Sequence, residues 1–243
     1  MTRIPPIILR YFDCRGRAQH LRYFLRYRNT PFTDDRVPLS ADFAAWASLK
    51  PDRAKTGPFQ KLPVLHWGNN VVAETSVIHR WLHQQLGDDQ RLSALENLRH
   101  EMLASGCFGD LMLPLGILIW SEMGFPGVDL AKLVPTSLGR VRGHLAILEQ
   151  TLNEWDWWEQ LKARDLMVTD CLLWEELSVA LHIFGASLQL EACPGLFEFH
   201  RHCAGQPLFE SLLAERPRQI TGRPGEAETI QRIQAALKNS TAI

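Results

Sequence analysis

The chain has 243 residues, of which 46% are apolar and 22% charged, so we expect an ordinary folded protein of one large domain or two small ones. Its formal net charge of -1 at pH 7 argues against a nucleic-acid-binding protein that works by neutralising phosphates. The 5 cysteines form no Cys-x-x-Cys pair, which favours free thiols in the cytoplasm over disulfides or a zinc site.

Two predicted strands flank a helix at the start of the chain. Residues 7–11 form an apolar run after two prolines and predict the first strand, and residues 32–37 predict a weaker second one. A polar turn leads from the first strand into a helix with Ala18, Leu21 and Leu25 facing inward at helical spacing. Its arginines, which we interpret as a solvated outer face, are Arg22, Arg26 and Arg28.

A short helix, a loop and a hairpin follow. Residues 40–50 predict the helix, and residues 51–58, with two prolines and a glycine, predict the loop. Residues 61–65 and 71–73 predict two strands joined by a tight turn. The short polar residues 74–76 then precede an apolar periodic segment, which is typical of a helix start. These elements predict a βαβ-ββα unit with a mixed four-stranded sheet, over residues 1–86.

The second half of the chain contains only predicted helices, and we place an all-α domain at residues 93–243, with a C-terminal extension from about residue 217. Pro114 predicts a kink in the first long helix. The tryptophan-rich residues 153–160 are interpreted as a polar loop. The predicted helices cover residues 93–120, 138–152, 170–184, 194–202, 207–214 and 226–238.

Neither a signal peptide nor a membrane span is expected. The N-terminus has one arginine and no long apolar run. The longest apolar stretch, residues 111–120, is about half the ~20 residues of a membrane span and predicts a buried helix.

Four motifs in the first domain, in this order and at nearly this spacing, resemble the cytosolic glutathione S-transferases of the tyrosine-using type. The similarity is greatest to the sigma-like branch, which includes glutathione-dependent prostaglandin D synthase. The motifs are Tyr11-Phe12-x-x-Arg15-Gly16-Arg17-Ala18, Trp46-x-x-x-Lys50, Phe59-Gln60-Lys61-Leu62-Pro63-Val64-Leu65 and Glu74-Thr75-x-x-Ile78-x-Arg80-Trp81-Leu82.

The resemblance implies a thioredoxin-like N-terminal domain, an all-helical C-terminal domain and a homodimer. It also implies a cytoplasmic enzyme of detoxification that activates the thiolate of glutathione, its co-substrate, for attack on hydrophobic electrophiles. A metal, a nucleic acid and a membrane are not among the implied partners. Two alternatives stay open: a non-catalytic glutathione- or ligand-binding protein, and a glutathione-dependent isomerase or peroxidase.

The resemblance also implies roles for individual residues. Tyr11 is the catalytic hydrogen-bond donor to the glutathione sulfur, and Arg17 is the catalytic residue that orients Tyr11 or adds positive charge. A cysteine-using relative would place its nucleophile near Cys14, although Arg15-Gly16-Arg17 does not continue that motif.

Glutathione itself is expected to contact three parts of the first domain. The backbone of Leu62, before a cis Pro63, pairs with the cysteinyl unit like an added strand. Glu74 and Thr75 hold the γ-glutamyl end at a helix start. The residues expected to hold the glycyl carboxylate are Trp46, Lys50 and Lys61.

Further expected contacts lie elsewhere in the chain. Asp110 of a partner subunit is expected to reach the γ-glutamyl ammonium. The acceptor pocket is expected to contain Phe12, Met112, Leu113 and Trp120.

Three positions depart from the family pattern. Glu74 stands where many members have glutamine, and its carboxylate attracts the ammonium of glutathione but repels the neighbouring carboxylate. The loop of residues 51–58 is longer than in the sigma-like branch. Met167 stands where the family has a serine or threonine that caps a helix near Asp170, so that we expect either a cap from Asp165 or an irregular start.

Overall fold

The computed structural model describes residues 4–40, 42–87, 92–124, 129–205, 219–222 and 225–240, without the side chains of residues 120–124 and 239–240. These residues form two compact units. The first unit contains residues 4–102, 167–171 and 219–222, and the second contains residues 103–166, 172–205 and 225–240. The division predicted from the sequence, 1–86 and 93–243, stays a prediction.

The first unit contains a mixed four-stranded sheet, as predicted. Its strands are β1 (Ile7–Phe12), β2 (Thr33–Val37), β3 (Val64–Trp67) and β4 (Asn70–Ala73), in the spatial order β2-β1-β3-β4. β1 runs parallel to β2 and antiparallel to β3, and β3 runs antiparallel to β4. Along β1 the side chains alternate between buried and half-buried, because successive side chains of a strand point to opposite faces of the sheet.

The register of the strands brings three chain segments to one end of the sheet. Arg10 of β1 lies opposite Val64 of β3, and Val64 lies opposite Ala73 of β4. The next residue beyond each of these is therefore at the same end, and these residues are Tyr11, Pro63 and Glu74. Since neighbouring strands lie about 4.8 Å apart, this end of the sheet can contact one small molecule with all three segments.

Helices complete the first unit. A short 3-10 turn, Gly16–Ala18, leads into α1 (Gln19–Tyr27), and the others are α2 (Ala44–Leu49), α3 (Arg53–Thr56), α4 (Thr75–Leu86) and the part of α5 (Ala94–Gly106) up to residue 102. The prediction of a loop at residues 51–58 is wrong in part, since this stretch contains α3. The side chain of Asp52 accepts a hydrogen bond from the backbone N–H of Ala54 at 3.1 Å and so caps this single helical turn.

The regular α-helical pattern breaks after α5, and the later helices follow this break. Residues Cys107–Met112 form a π-type turn, in which the N–H of Leu113 donates to the C=O of Phe108, and α6 (Leu113–Gly124) follows. The break therefore precedes Pro114, whose missing N–H leaves the regular α-helical pattern incomplete. The remaining helices are α7 (Leu130–Glu154), α8 (Trp157–Ala163), α9 (Val168–Phe184), α10 (Pro194–Ala204) and α11 (Glu226–Ser240).

Two of the predictions for this half need correction. Residues 153–160 are not a loop, because α7 ends and α8 begins within them, with Asp156 between at a φ of 55°. α7 is also longer than predicted and contains Pro135. The helix predicted at residues 207–214 lies outside the described residues.

Side chains cap the starts of two of these helices in unusual ways. The N–H of Met167 donates to the carboxylate of Asp170 at 2.7 Å, so that half of a capping box forms although Met167 offers no hydroxyl. The start of α10 is capped from a distant helix, because Glu149 of α7 accepts from the N–H groups of Gly195 at 2.8 Å and Leu196 at 2.9 Å.

Four buried histidines lie within the first unit. The ring centroids of His20 and His79 are 5.5 Å apart, and those of His83 and His100 are 5.1 Å apart. Burial lowers the pKa of His20 to about 3 and holds the pKa of His79 well below its usual range. Both imidazoles are therefore neutral at pH 7.

Two helical stretches, Ala94–Ile119 and Val168–Leu188, are long and apolar enough to span a membrane by composition alone. Buried core helices have the same properties; of the most apolar 18 residues in each stretch, 39% are buried in the first and 67% in the second.

Candidate functional site

Tyr11 lies at the end of β1, and a neighbouring backbone group orients its hydroxyl. The N–H of Arg17 donates a hydrogen bond to the Tyr11 oxygen at 3.1 Å. The oxygen therefore acts as an acceptor toward the protein, and its own hydrogen is left to donate to another group. The Arg17 side chain is exposed, whereas Tyr11 is buried.

The surroundings of Tyr11 keep its phenol protonated. Burial raises the pKa of Tyr11, and the nearby thiol of Cys14 raises it further. The hydrogen bond from Arg17 and the charges of Arg17 and Arg22 lower it by smaller amounts. At neutral pH the phenol is consequently a hydrogen-bond donor and not a base.

The turn that follows Tyr11 is fitted closely to its ring. Gly16 has a φ of +36°, and a Cβ at this position would lie 2.8 Å from Cε1 and 3.0 Å from Cζ of Tyr11. The N–H of Gly16 donates to the C=O of Ile220 at 2.7 Å, and the N–H of Arg15 donates to the C=O of Gln219 at 2.9 Å. Residues 219–220 thus hold the turn through two backbone hydrogen bonds.

Three aromatic rings connect Tyr11 to helix α2. The ring centroids of Tyr11 and Phe12 are 5.4 Å apart, and those of Phe12 and Trp46 are also 5.4 Å apart, both in edge-to-face geometry. Trp46 lies on α2, and Lys50 follows directly after this helix. The structure therefore brings Trp46 to Tyr11 through Phe12, a residue that the sequence predicts for the acceptor pocket.

The peptide bond between Leu62 and Pro63 is cis, as predicted. Pro63 immediately precedes β3, and neither the N–H nor the C=O of Leu62 bonds to another backbone group among the described residues. Both groups are therefore available for pairing with an extended ligand.

Two exposed lysines lie in this part of the first unit. Lys61 directly precedes Leu62, and Lys50 follows α2. Among the described residues, neither Lys50 nor Lys61 forms an ion pair, in contrast to Lys55, which lies 3.1 Å from the carboxylate of Asp52. Two ammonium groups are thus free to bind a carboxylate.

Helix α4 begins at the same end of the sheet. Its N-cap residue is Glu74, with a φ of 72° that is unusual for a residue other than glycine, and the Glu74 side chain does not cap the helix. The first intrahelical bond runs from the N–H of Ile78 to the C=O of Glu74. Thr75 is therefore the first residue of the helix and not its cap, and the Glu74 side chain does not satisfy the leading N–H groups, which are the kind of donors that bind a carboxylate.

The remaining predicted site residues belong to the second unit. Asp110 is exposed on the π-type turn, and its carboxylate lies 3.9 Å from Nδ1 of His144. Met112 ends that turn and Leu113 begins α6, with its side chain exposed. The side chain of Trp120 lies outside the described residues. The roles expected for these four residues stay predictions.

One residue near the site was misread from the sequence. Arg22 was expected on a solvated face of α1, but its side chain is only 1% exposed. Its guanidinium lies 5.9 Å from the centroid of the Tyr11 ring and donates to backbone carbonyls of the turn after Tyr11. The spacing of the apolar residues gives no signal for this role, because it places Arg22 on the outer face of the helix.

Cys14 is an unsuitable nucleophile in this conformation. It is buried, with 1% of its surface exposed, and a Cβ added at Gly222 would lie 2.9 Å from the Cys14 Cβ. The segment that contains Gly222 therefore covers Cys14.

Comparisons with known proteins agree with this geometry. Residues 8–84 match the family model described as "Glutathione S-transferase, N-terminal domain". The chain is 28% identical over 221 residues to glutathione S-transferase 1 of Ascaris suum, which covers 88% of this chain and 98% of that protein. It is 34% identical over 79 residues to the hematopoietic prostaglandin D synthase of Mus musculus, which covers 32% of this chain and 36% of that protein.

Solved structures extend the likeness of the fold over most of the chain. The glutathione S-transferase of Ascaris lumbricoides has a TM-score of 0.70 at 23% identity, over 89% of this chain and 100% of that one. The rat hematopoietic prostaglandin D synthase, in complex with a quinoline, has a TM-score of 0.67 at 22% identity, over 89% and 100% of the two chains.

Proposed function

Because the chain belongs to the glutathione S-transferase family through its N-terminal domain, we propose that it transfers the glutathione thiol to hydrophobic electrophiles. The observation that carries the proposal is the Tyr11 hydroxyl, whose oxygen accepts from the N–H of Arg17 and whose hydrogen is left to donate. A hydrogen bond from this phenol to a thiolate stabilises the charged sulfur. Each unit by which it lowers the thiol pKa corresponds to about 1.4 kcal/mol.

Glutathione would lie along the end of the sheet. Its cysteinyl backbone pairs with the free N–H and C=O of Leu62, and its γ-glutamyl carboxylate binds the uncapped N–H groups at Thr75. Its glycyl carboxylate binds the free ammonium groups of Lys50 and Lys61 and the indole N–H of Trp46. The shared end of the three strands supports this orientation.

Substitution of Tyr11 tests the proposed catalytic role. Tyr11→Phe removes the donated hydrogen and leaves the ring, so we expect kcat with a chlorodinitrobenzene-type electrophile to fall at least tenfold while calorimetry still detects glutathione binding. Tyr27→Phe, a change on a half-buried residue at the end of α1, is the matched control and should leave kcat unchanged. Unchanged turnover in Tyr11→Phe would contradict the assignment.

A non-catalytic glutathione-binding protein is the second candidate, and Glu74 favours it. This exposed carboxylate lies directly before the helix start that receives the γ-glutamyl carboxylate, and the two negative charges repel each other. If glutathione binds but neither electrophiles, peroxides nor endoperoxides turn over, this alternative is correct. Glu74→Gln distinguishes the effects of charge, since it should tighten glutathione binding if repulsion dominates and weaken it if Glu74 holds the ammonium.

We also propose a homodimer, which an exposed apolar stripe supports. Leu95, Leu98 and Met102 follow each other on one face of α5 and are each about half exposed, as is Val77 on α4. Such a contiguous apolar surface is typical of an interface between protein chains. The glutathione S-transferase Na-GST-3 of Necator americanus is described as monomeric, so the state of assembly has to be measured for each chain.

Light scattering after size exclusion tests the dimer. We expect the mass of two chains for the native protein and of one chain for Leu98→Glu, which puts a charge in the centre of the stripe. A native protein that elutes as one chain at all concentrations would contradict the proposal.

In such a dimer, Asp110 of one subunit would reach the γ-glutamyl ammonium of the other. The acceptor pocket would contain Phe12, Met112, Leu113 and Trp120. We further propose a cytoplasmic location and a role in detoxification. All 5 cysteines are buried and none forms a disulfide, which agrees with a reducing compartment.

A further inference from the structure

Helix α1 places the positively charged side chain of Arg22 in the interior of the first unit. Only 1% of its side chain is exposed, although a buried guanidinium is costly unless hydrogen bonds and an opposite charge compensate it. Asp34 of β2 supplies that charge, because its Oδ1 lies 3.0 Å from Nε of Arg22.

The other two nitrogens of Arg22 hold the turn that follows the catalytic strand. Nη1 donates to the C=O of Cys14 at 2.7 Å and to Oε1 of Gln19 at 3.3 Å, and Nη2 donates to the C=O of Phe12 at 3.2 Å. One planar group thus bridges two carbonyls, two residues apart, in the turn that leads from Tyr11 to Arg17. A lysine ammonium, as a single point donor, cannot span both carbonyls and Asp34 together.

A second arginine secures the same turn through the same carboxylate. Nε of Arg36 lies 2.8 Å from Oδ2 of Asp34, and Nη1 of Arg36 lies 3.1 Å from Oδ1 of Asp13. Asp34 is therefore fixed between two guanidinium groups, and the turn is held at residues 12, 13 and 14.

The position of Arg22 also affects Tyr11 directly. Its guanidinium lies 5.9 Å from the centroid of the Tyr11 ring, and its charge lowers the pKa of Tyr11 against the larger effect of burial. A phenol beside a positive charge is a stronger hydrogen-bond donor to a thiolate.

We propose that Arg22 is a positioning residue for the transfer reaction: it fixes the turn that sets the direction of the Tyr11 hydroxyl and strengthens the phenol as a donor. The inference rests on the proposed function, since it acts through Tyr11. It assigns to Arg22 an effect on the rate of thiolate formation and attack that is separate from any effect on folding.

The test compares Arg22→Met, which keeps the length of the side chain, with Arg26→Met on the same helix. Arg26 is a matched control, because its guanidinium lies 4.0 Å from the same Asp34 carboxylate while its side chain is 28% exposed. We expect Arg22→Met to lower kcat at least tenfold with KM for glutathione within threefold, and to move the acidic limb of the pH–rate profile to higher pH. Arg26→Met should change none of these values by more than twofold.

Combination with Tyr11→Phe separates positioning from a general structural role. If Arg22 acts through the Tyr11 hydroxyl, Arg22→Met lowers kcat by less than twofold once that hydroxyl is absent. An equal loss of kcat in both backgrounds, or an unmoved pH profile, overturns the proposal. If Arg22→Met does not fold, Arg22→Lys replaces it, and we expect a threefold to tenfold lower kcat with the same dependence on the Tyr11 hydroxyl.

The wild-type protein is measured first, so that two failures stay distinct. A wild-type chain that binds glutathione without any turnover contradicts both the transferase function and the role of Arg22. An active wild-type chain with additive effects of Arg22→Met and Tyr11→Phe contradicts the role of Arg22 alone.

Discussion

Gly16→Ala probes the close fit between the turn and the Tyr11 ring. At a φ of +36° a residue with a Cβ pays roughly 1–2 kcal/mol for the left-handed conformation. About 0.4–1 kcal/mol of this cost is offset because alanine has less freedom than glycine in the unfolded chain. The new methyl group also has to displace the buried Tyr11 ring, and overpacking of this kind costs typically ~1–3 kcal/mol.

A matched glycine isolates the contact with Tyr11. Gly185 has a φ of +56°, and a Cβ there would meet nothing within 4 Å. We therefore expect Gly185→Ala to lower the free energy of unfolding by about 1 kcal/mol and Gly16→Ala to lower it by about 2–4 kcal/mol.

Urea unfolding measures both free energies of unfolding. The rate of glutathione transfer to an aromatic electrophile shows whether the Tyr11 hydroxyl is displaced. A displacement of about 1 Å at a reacting group can reduce the rate about 100-fold, so we expect kcat to fall at least tenfold in Gly16→Ala and to stay unchanged in Gly185→Ala. Equal stability and equal kcat in the two variants would refute the packing of Gly16 against Tyr11.

Three further changes test other parts of the molecule. Glu149→Ala should lower the free energy of unfolding by about 2 kcal/mol, because two N–H groups at the start of α10 lose their acceptor. His20→Leu should reduce the acid sensitivity of the fold. The pKa of His20 is lowered to about 3, so only the unfolded chain binds its proton between pH 6.5 and 3, and wild-type stability falls with decreasing pH by about 1.4 kcal/mol per unit from this group. Lys61→Met should raise KM for glutathione about threefold to tenfold with kcat within twofold, since the proposed contact with the glycyl carboxylate would stabilise bound substrate and transition state equally.

Each of these variants has a control in the chain. Glu154→Ala changes an exposed glutamate that accepts a local hydrogen bond from Gln150, and His202→Gln changes an exposed histidine. Lys55→Met removes a lysine that is already paired with Asp52. Urea titrations at pH 7.5 and pH 5 measure stability, and steady-state kinetics at varied glutathione concentration measure KM and kcat. If a control variant shows the same measured change as its test variant, the contact that explains the prediction is contradicted.

The end of the sheet was predictable because its parts carry local signals. A strand that ends in a polar turn identifies the position of Tyr11, a proline before an apolar run identifies Leu62, and short polar residues before a periodic segment identify the start of α4. Such signals depend on neighbours within a few residues, and the resemblance to a known family supplied their joint meaning.

The role of Arg22 could not be derived in the same way. All residues of α1 from Gln19 to Leu25 are buried, so this part of the helix has no solvated face, and spacing alone cannot separate inward from outward positions. The partners that make burial of Arg22 possible are backbone carbonyls before the helix and Asp34, 12 residues further along.

Polar composition was also misleading at two loops. Residues 51–58 and 153–160 contain proline, glycine or many charges, yet each includes part of a helix, since Asp52 caps α3 and Asp156 allows a sharp change of direction before α8. In both places a single residue, through a cap or a particular backbone angle, allows a helix to begin in a segment whose composition predicts a loop.

The hydrogen bonds between Arg15, Gly16 and the segment of residues 219–222 have a consequence for the order of events during synthesis. The strand that carries Tyr11 leaves the ribosome about 200 residues before Gln219 and Ile220, which is a delay of roughly 10–40 s at ~5–20 residues per second. Until then, the N–H groups of Arg15 and Gly16 lack these two acceptors. The turn beside Tyr11 thus reaches its final form only after residues 219–220 have been synthesised, so a shorter nascent chain lacks these two bonds.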